Sequence, residues 1–210
     1  MSKEYAQLDA LEMIEERPFT NPVDSIQDLE TLQYMLGRLC QIVMQPQGLP
    51  DQPRPLILYT TEPENRLHRI TISKLTDLLS CESLTVVGFC GQKRADIDWG
   101  PLDAIDEELI IEFPQHPHLL SYSTLQLKCG NSCNLVLFDN PKGLRHWVQG
   151  DRHSLAVSMT PGYYKTIRLH NAVLRGGLLA GNELTLVRTK YYDFQTGSTW
   201  WGVRELQPSI

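Results

Sequence analysis

The chain has 210 residues, 41% apolar and 21% charged, the profile of a folded globular protein of one domain with at most a small appendage. That excludes a disordered, collagen-like or low-complexity chain. A net charge of −6 disfavours a nucleic-acid or acidic-membrane binder, which needs clustered Lys and Arg to displace counterions.

The charge is unevenly placed. Residues 95–127 hold seven acids and no Lys or Arg, whereas residues 141–204 hold nine bases against three acids. Opposite patches on one chain fit intramolecular complementarity, an isologous dimer or simply two solvated faces. No stretch approaches the ~18 to 20 apolar residues of a membrane span. Met-Ser-Lys-Glu-Tyr leads into polar residues, not an apolar run, so no signal peptide is read and a cytoplasmic location is expected. Five cysteines, an odd number, predict reduced thiols in place of a disulfide framework.

In chain order, residues 1–23 are polar and broken by Pro18 and Pro22, which predicts a loosely ordered arm. Asp24 or Ser25 then caps a helix whose apolar stripe runs Ile26, Leu29, Leu32, Leu36, Leu39 and Val43. Pro46, Pro50, Pro53 and Pro55 mark a linker. The division that follows is 1–55 for arm, helix and linker, and 56–210 for the main domain.

Leu56 to Tyr59 suits a short strand, Asn65 to Leu79 reads as helix, and the β-branched run Leu84 to Cys90 as a buried strand. After the turn at Asp98 to Pro101, Leu102, Ile105, Leu109 and Phe113 define a helix with an acid-rich outer face. Residues 119–139 form a hairpin about Gly130-Asn131, and Pro141 opens a helix carrying Leu144 and Trp147 with a break at Gly150-Asp151. Tyr163 to Val173, Glu183 to Phe194 and Trp200 to Leu206 complete the strands.

From residue 84 the order is strand, helix, strand, strand, helix, strand. The fold class is therefore α+β, a ferredoxin-like βαββαβ antiparallel sheet with an extra C-terminal hairpin and an N-terminal helix. The Leu84 to Phe89 strand, the Ser121 to Phe138 hairpin and the segment Trp147 to Ala156 followed by a long strand carry a resemblance. Over about residues 84–195 the chain resembles the dimeric α/β barrel superfamily, which includes antibiotic-biosynthesis-type monooxygenases, haem-degrading enzymes and spheroidene-monooxygenase-like proteins. The resemblance implies a homodimer with its sheets face to face. It also implies a cavity between sheet and helices for a small apolar or planar ligand such as haem or a pigment, and in some members cofactor-free oxidation.

On that basis His153, His170 and Arg152 are the candidate catalytic residues, and His146, Trp147, Tyr164 and Arg168 the candidate cofactor-binding residues. His146 and His153 share a side of any unbroken helix, where an imidazole can ligate haem iron and Arg152 can pair with a propionate. Strand alternation puts Tyr164, Thr166, Arg168 and His170 on one face; facing water, that face is only the outer side of a half-buried sheet. Cys129 and Cys133 flank a turn near His116 and His118, but the spacing is not a zinc knuckle and no metal site is expected. Tyr191, Tyr192, Trp200 and Trp201 need a cover, either a partner subunit or the N-terminal helix. Two classes of function follow: an oxygenase-like or haem-associated enzyme with a histidine pointing into an open pocket, or a non-catalytic binding or assembly module whose core is filled. No motif supports nucleic-acid, membrane or hydrolase chemistry.

Overall fold

The computed structural model describes residues 5–45 and 55–206. One mixed, nine-stranded sheet runs through the chain: β1 (Ala6–Leu8), β2 (Leu56–Glu62), β3 (Arg66–Ile72), β4 (Ser83–Lys93), β5 (Leu119–Gln126), β6 (Ser132–Phe138), β7 (Tyr164–Arg175), β8 (Thr185–Asp193) and β9 (Trp200–Glu205). Their order is β1-β9-β8-β7-β4-β6-β5-β3-β2, and every pairing is antiparallel except the parallel edge pair β1 and β9. The helices are α1 (Pro22–Val43), α2 (Leu75–Ser80), α3 (Gly100–Glu112), α4 (Pro141–Val148) and α5 (Asp151–Tyr163). Among the described residues no helix is long and apolar enough to cross a membrane.

Alternation along the strands creates two cores. Leu84, Val86, Cys90, Cys133, Leu135 and Leu137 face α1, which adds Leu32, Met35, Leu36, Leu39 and Ile42. Val87, Val136 and Phe138 face the opposite way, against Leu109, Ile110 and Phe113 of α3 and its end, and Trp147 of α4. The result is three layers, with α1 below the sheet and α3 to α5 above it. The face that was expected to meet a second sheet is packed against α1 of the same chain.

Helix α1 starts where Asn21 accepts from the Val23 N–H and Pro22 occupies the first turn. Its buried stripe is Ser25, Asp28, Leu32, Met35, Leu36, Leu39 and Ile42, so Ile26, expected on that stripe, points to solvent at 56% exposure. The first buried turns are polar because they meet a polar part of the sheet. Leu32 sits directly over Gly88, where an added Cβ would lie 2.3 Å from Leu32 Cδ1. Here a glycine is a packing requirement, letting helix and strand approach closely.

Four expectations are corrected. Asn65 to Leu79 is not one helix: β3 pairs with β2 and β5, and only Leu75–Ser80 is helical. The tight turn at Glu64 and Asn65, both with positive φ, returns the chain antiparallel, and the β-branched Ile70, Thr71 and Ile72 extend it. The amino-terminal segment is anchored, not loosely ordered, because β1 joins the sheet and buried Arg204 donates to the carbonyls of Asp9 and Thr20, each at 2.9 Å, and to that of Glu12. Cys90 and Cys133 are joined in a disulfide, not reduced. They are directly opposed on β4 and β6 with Cα atoms 4.4 Å apart, the separation of a non-hydrogen-bonded antiparallel pair. The conceivable Cys129/Cys133 zinc pair is thereby removed, since Cys133 is bonded elsewhere and Cys129 is exposed. The Pro-rich linker lies almost wholly outside the described residues.

Leu32→Ala is expected to lower stability by about 2–5 kcal/mol through cavity formation, and Gly88→Ala to destabilise by displacing Leu32. Combined, the two should cost less than their sum, because the new methyl enters the vacated space. Urea unfolding of both single variants and the double variant measures that coupling.

Candidate ligand-binding cavity

Between the sheet and its upper helices lies a cavity of about 720 Å³. Its roof comes from α3 and α5 and its floor from β3 to β8. Leu67 and Tyr59 line it while remaining 50% and 64% exposed, which places an opening at the β2–β3 hairpin. Aromatic contacts form one wall: Tyr164 packs edge-to-face on Phe89 at 5.2 Å and on Trp99 at 5.4 Å, and Lys93 Nζ lies 4.6 Å from the Trp99 ring centre.

Tyr164 reaches this wall because the chain departs from simple alternation. Gln92 pairs with Thr166 but Lys93 pairs with Tyr164, so Lys165 is an extra residue in β7 and turns Tyr164 to the opposite face. A Cβ on Gly91 would lie 2.4 Å from the Tyr164 ring, so a side chain there would fill the ring's place. Tyr164 thus lines the cavity, separated from Arg168 and His170, with which alternation had grouped it.

The floor carries a polar relay. Asn134 Nδ2 donates to the Tyr122 hydroxyl at 2.9 Å, that hydroxyl donates to Asp106 at 3.1 Å, and Arg69 closes the chain by donating to Asp106 and to Thr124 Oγ1 at 3.2 Å. Burial and the adjacent Asp106 raise the Tyr122 pKa well above the ordinary phenol value, so it stays a donor. Burial likewise pushes Asp103, at the same cavity, above the usual carboxylate range. Arg69 Nε and Asn134 Oδ1 are buried without a hydrogen-bond partner among the described residues.

The expected site residues separate into three groups. Tyr164, Trp147 and His153 line the cavity. His153 stands beside Trp147, ring centres 5.1 Å apart, with a buried, unpartnered Nδ1. Burial, with a smaller contribution from His116, lowers its pKa to about 4, so the imidazole is neutral at pH 7. Arg152 and His146 lie elsewhere. Arg152 pairs with Glu108 and Glu112 of α3, turning the acid-rich helix face toward a base of the same chain. His146 is exposed near His118, because an extended Gly150 breaks the helix between α4 and α5 and cancels the shared side of His146 and His153.

Arg168 and His170 lie beneath the sheet, not in the cavity. Arg168 Nε and Nη2 grip Asp28 of α1 at 2.5 and 3.0 Å, and His170 Nε2 meets Asp28 Oδ2 at 2.9 Å. Burial alone would raise the Asp28 pKa, but the hydrogen bonds from His170 and Arg168 outweigh it and hold the carboxyl below its usual range. Sequence reasoning missed Arg69, Asp106, Tyr122 and Asn134. The available signal was Asn134, a polar residue inside the run Cys133 to Phe138.

No family model and no curated protein matches this chain. A solved structure from Lactobacillus acidophilus NCFM, provisionally described as a monooxygenase, aligns with 77% of this chain and 93% of its own at 8% identity and a TM-score of 0.41. A likeness that weak decides nothing about the chemistry here.

The low His153 pKa has a signed consequence. Its folded value near 4 lies below the ordinary 6.5, so its contribution to stability is fully present above pH 6.5 and is lost as pH falls toward 4. His153→Phe should therefore lose less stability than the parent between pH 6.5 and 4, and NMR titration of the parent should give one histidine midpoint near 4.

Proposed function

We propose that this protein binds a planar, largely apolar small molecule in the cavity between the sheet and α3 to α5. The single observation that carries the reading is the cavity itself, whose size falls in the ~300–1,000 Å³ range of small-molecule sites, with aromatic walls and a polar relay across its floor. The arrangement of β7-β4-β6-β5, with α3 and the α4–α5 pair crossing on one face, supports a ferredoxin-like core within the larger sheet. In this reading α1 substitutes for the second sheet of a dimeric barrel.

The donor set suits a neutral or cationic ligand better than haem. Asp103 and Asp106 line the cavity, Arg69 is committed to Asp106, and Arg152 is paired with α3. Among the described residues that leaves Lys93 alone among the lining cations for two propionates, so the lining does not fit haem.

A cofactor-free oxidation is the second reading, favoured by a neutral imidazole at the cavity wall. Its weak basicity favours binding over that chemistry: an efficient general base has a pKa near the working pH, whereas burial holds that of His153 down to about 4. Binding without chemistry at His153 is the reading the electrostatics support.

Titrating the protein with neutral polycyclic phenols and quinones, followed by quenching of tryptophan emission from Trp99 and Trp147, should give saturable binding. Ala156→Trp, which places an indole in the cavity, should weaken that binding at least about tenfold, equivalent to ~1.4 kcal/mol. Haemin giving a Soret shift abolished in His153→Ala, with no saturable response to the neutral ligands, would replace this reading by the haem one.

A further inference from the structure

Beneath the sheet, away from the cavity, one cluster has the composition of a metal centre. Asp28 of α1, Cys90 of β4 and His170 of β7 are all buried, and each offers a ligand atom within 4.8 Å of the other two. Carboxylate, thiolate and imidazole together are donors that zinc accepts. His170 Nδ1 lies 2.9 Å from Thr189 Oγ1, the outer hydrogen bond that fixes the ring of a metal-bound histidine and leaves Nε2 for the ion. Arg168 holds both oxygens of the Asp28 carboxylate, Nε on Oδ2 at 2.5 Å and Nη2 on Oδ1 at 3.0 Å, and so orients it as an outer partner of a ligating carboxylate does. What occupies Cys90 is its bond to Cys133.

We propose that the reduced chain holds a zinc-type divalent ion between Asp28, Cys90 and His170, and that the Cys90–Cys133 disulfide and the metal are alternative states of one site. A dithiol reductant transfers two electrons and two protons to the disulfide, giving two thiols and becoming a disulfide itself. Binding then expels the Cys90 thiol proton as the Sγ–metal bond forms. In the metal-bound state His170 carries its proton on Nδ1, toward Thr189, and turns Nε2 to the ion. With Cys133 Sγ outside the cluster, the fourth position is left to a water. Because Asp28 belongs to α1, the ion would join the helix to the sheet, and its binding energy would add to folding stability.

The test is cobalt(II) titration of the full chain kept reduced with a phosphine, with absorption as the readout. A tetrahedral visible spectrum with a thiolate-to-metal band in the near ultraviolet, saturating at one ion per chain, is expected, together with a metal-dependent rise in melting temperature. Both signals should be absent from the disulfide-bonded chain and from Cys90→Ser, a nearly isosteric change. Thr189→Val should weaken binding by roughly 10–100-fold, as loss of an outer partner does. His170→Ala should abolish it, and if that variant does not fold, Cys90→Ser carries the comparison. A reduced parent chain without the thiolate band, or a band that survives Cys90→Ser, overturns the proposal. Neither result bears on the cavity, which Ala156→Trp tests separately.

Discussion

The structure depends on the docking of α1 against the sheet. A sheet with helices on one face leaves its other face to be buried, and an equivalent sheet from a second copy is a common solution. Here the cover is a 22-residue helix held at two levels. Its middle and end bury leucine, methionine and isoleucine side chains, each worth about 1.5–3 kcal/mol, over the glycine opening at Gly88. Its first turns carry Ser25 and Asp28 to Tyr191, Arg168 and His170. The apolar part supplies most of the free energy. The buried ion cluster supplies register, since a slide of one turn would strand Asp28 and Arg168 without partners in a low-dielectric interior, where an unpaired charge costs several kcal/mol.

Once α1 closes one face, the other is free to be incompletely filled. The helices above the sheet are tied to it at points, through Arg69 to Asp106 on α3 and Trp147 on α4, and to each other through Arg152. Between these ties the space stays open because the floor uses small or polar residues at Thr124, Ser132 and Asn134 where bulky apolar ones would fill it. The relay from Asn134 to Asp106 keeps the floor's polar atoms oriented without a ligand, so the site is largely preformed and little ordering cost is left for binding.

Much of this was legible in sequence wherever periodicity was strong. Helix α1, the β5–β6 hairpin, β4 and the helix break at Gly150 follow from spacing and punctuation alone. The elements misread are those in which tertiary partners overrule local pattern. Residues 65–79 lack a clean period because β3 faces the α1-side core on one side and the cavity on the other, so both faces carry mixed residues, and losing that strand removed Arg69 from view. Tyr164 was grouped with Arg168 and His170 because a bulge has no sequence signature of its own. The odd cysteine count suggested free thiols, but the Cys90–Cys133 pairing depends on register between strands 43 residues apart in sequence, which composition does not encode.

Period-two alternation assigns the two candidate functions to opposite sides of the same strands. On β4, Phe89 faces the cavity and Cys90 faces α1; on β7, Ile167 and Leu169 border the cavity while Arg168 and His170 grip Asp28. A ligand above and a bond or ion below therefore act on the same backbone, but sharing a strand is not coupling. Coupling requires an element with two arrangements whose balance both sites bias. Strand β7 carries two irregularities, the bulge at Lys165, which sets the Tyr164 ring on the cavity wall four residues from Arg168, and a register shift between Asn171 and Ala172, next to His170. A fully regular β7 would offer no such point of adjustment.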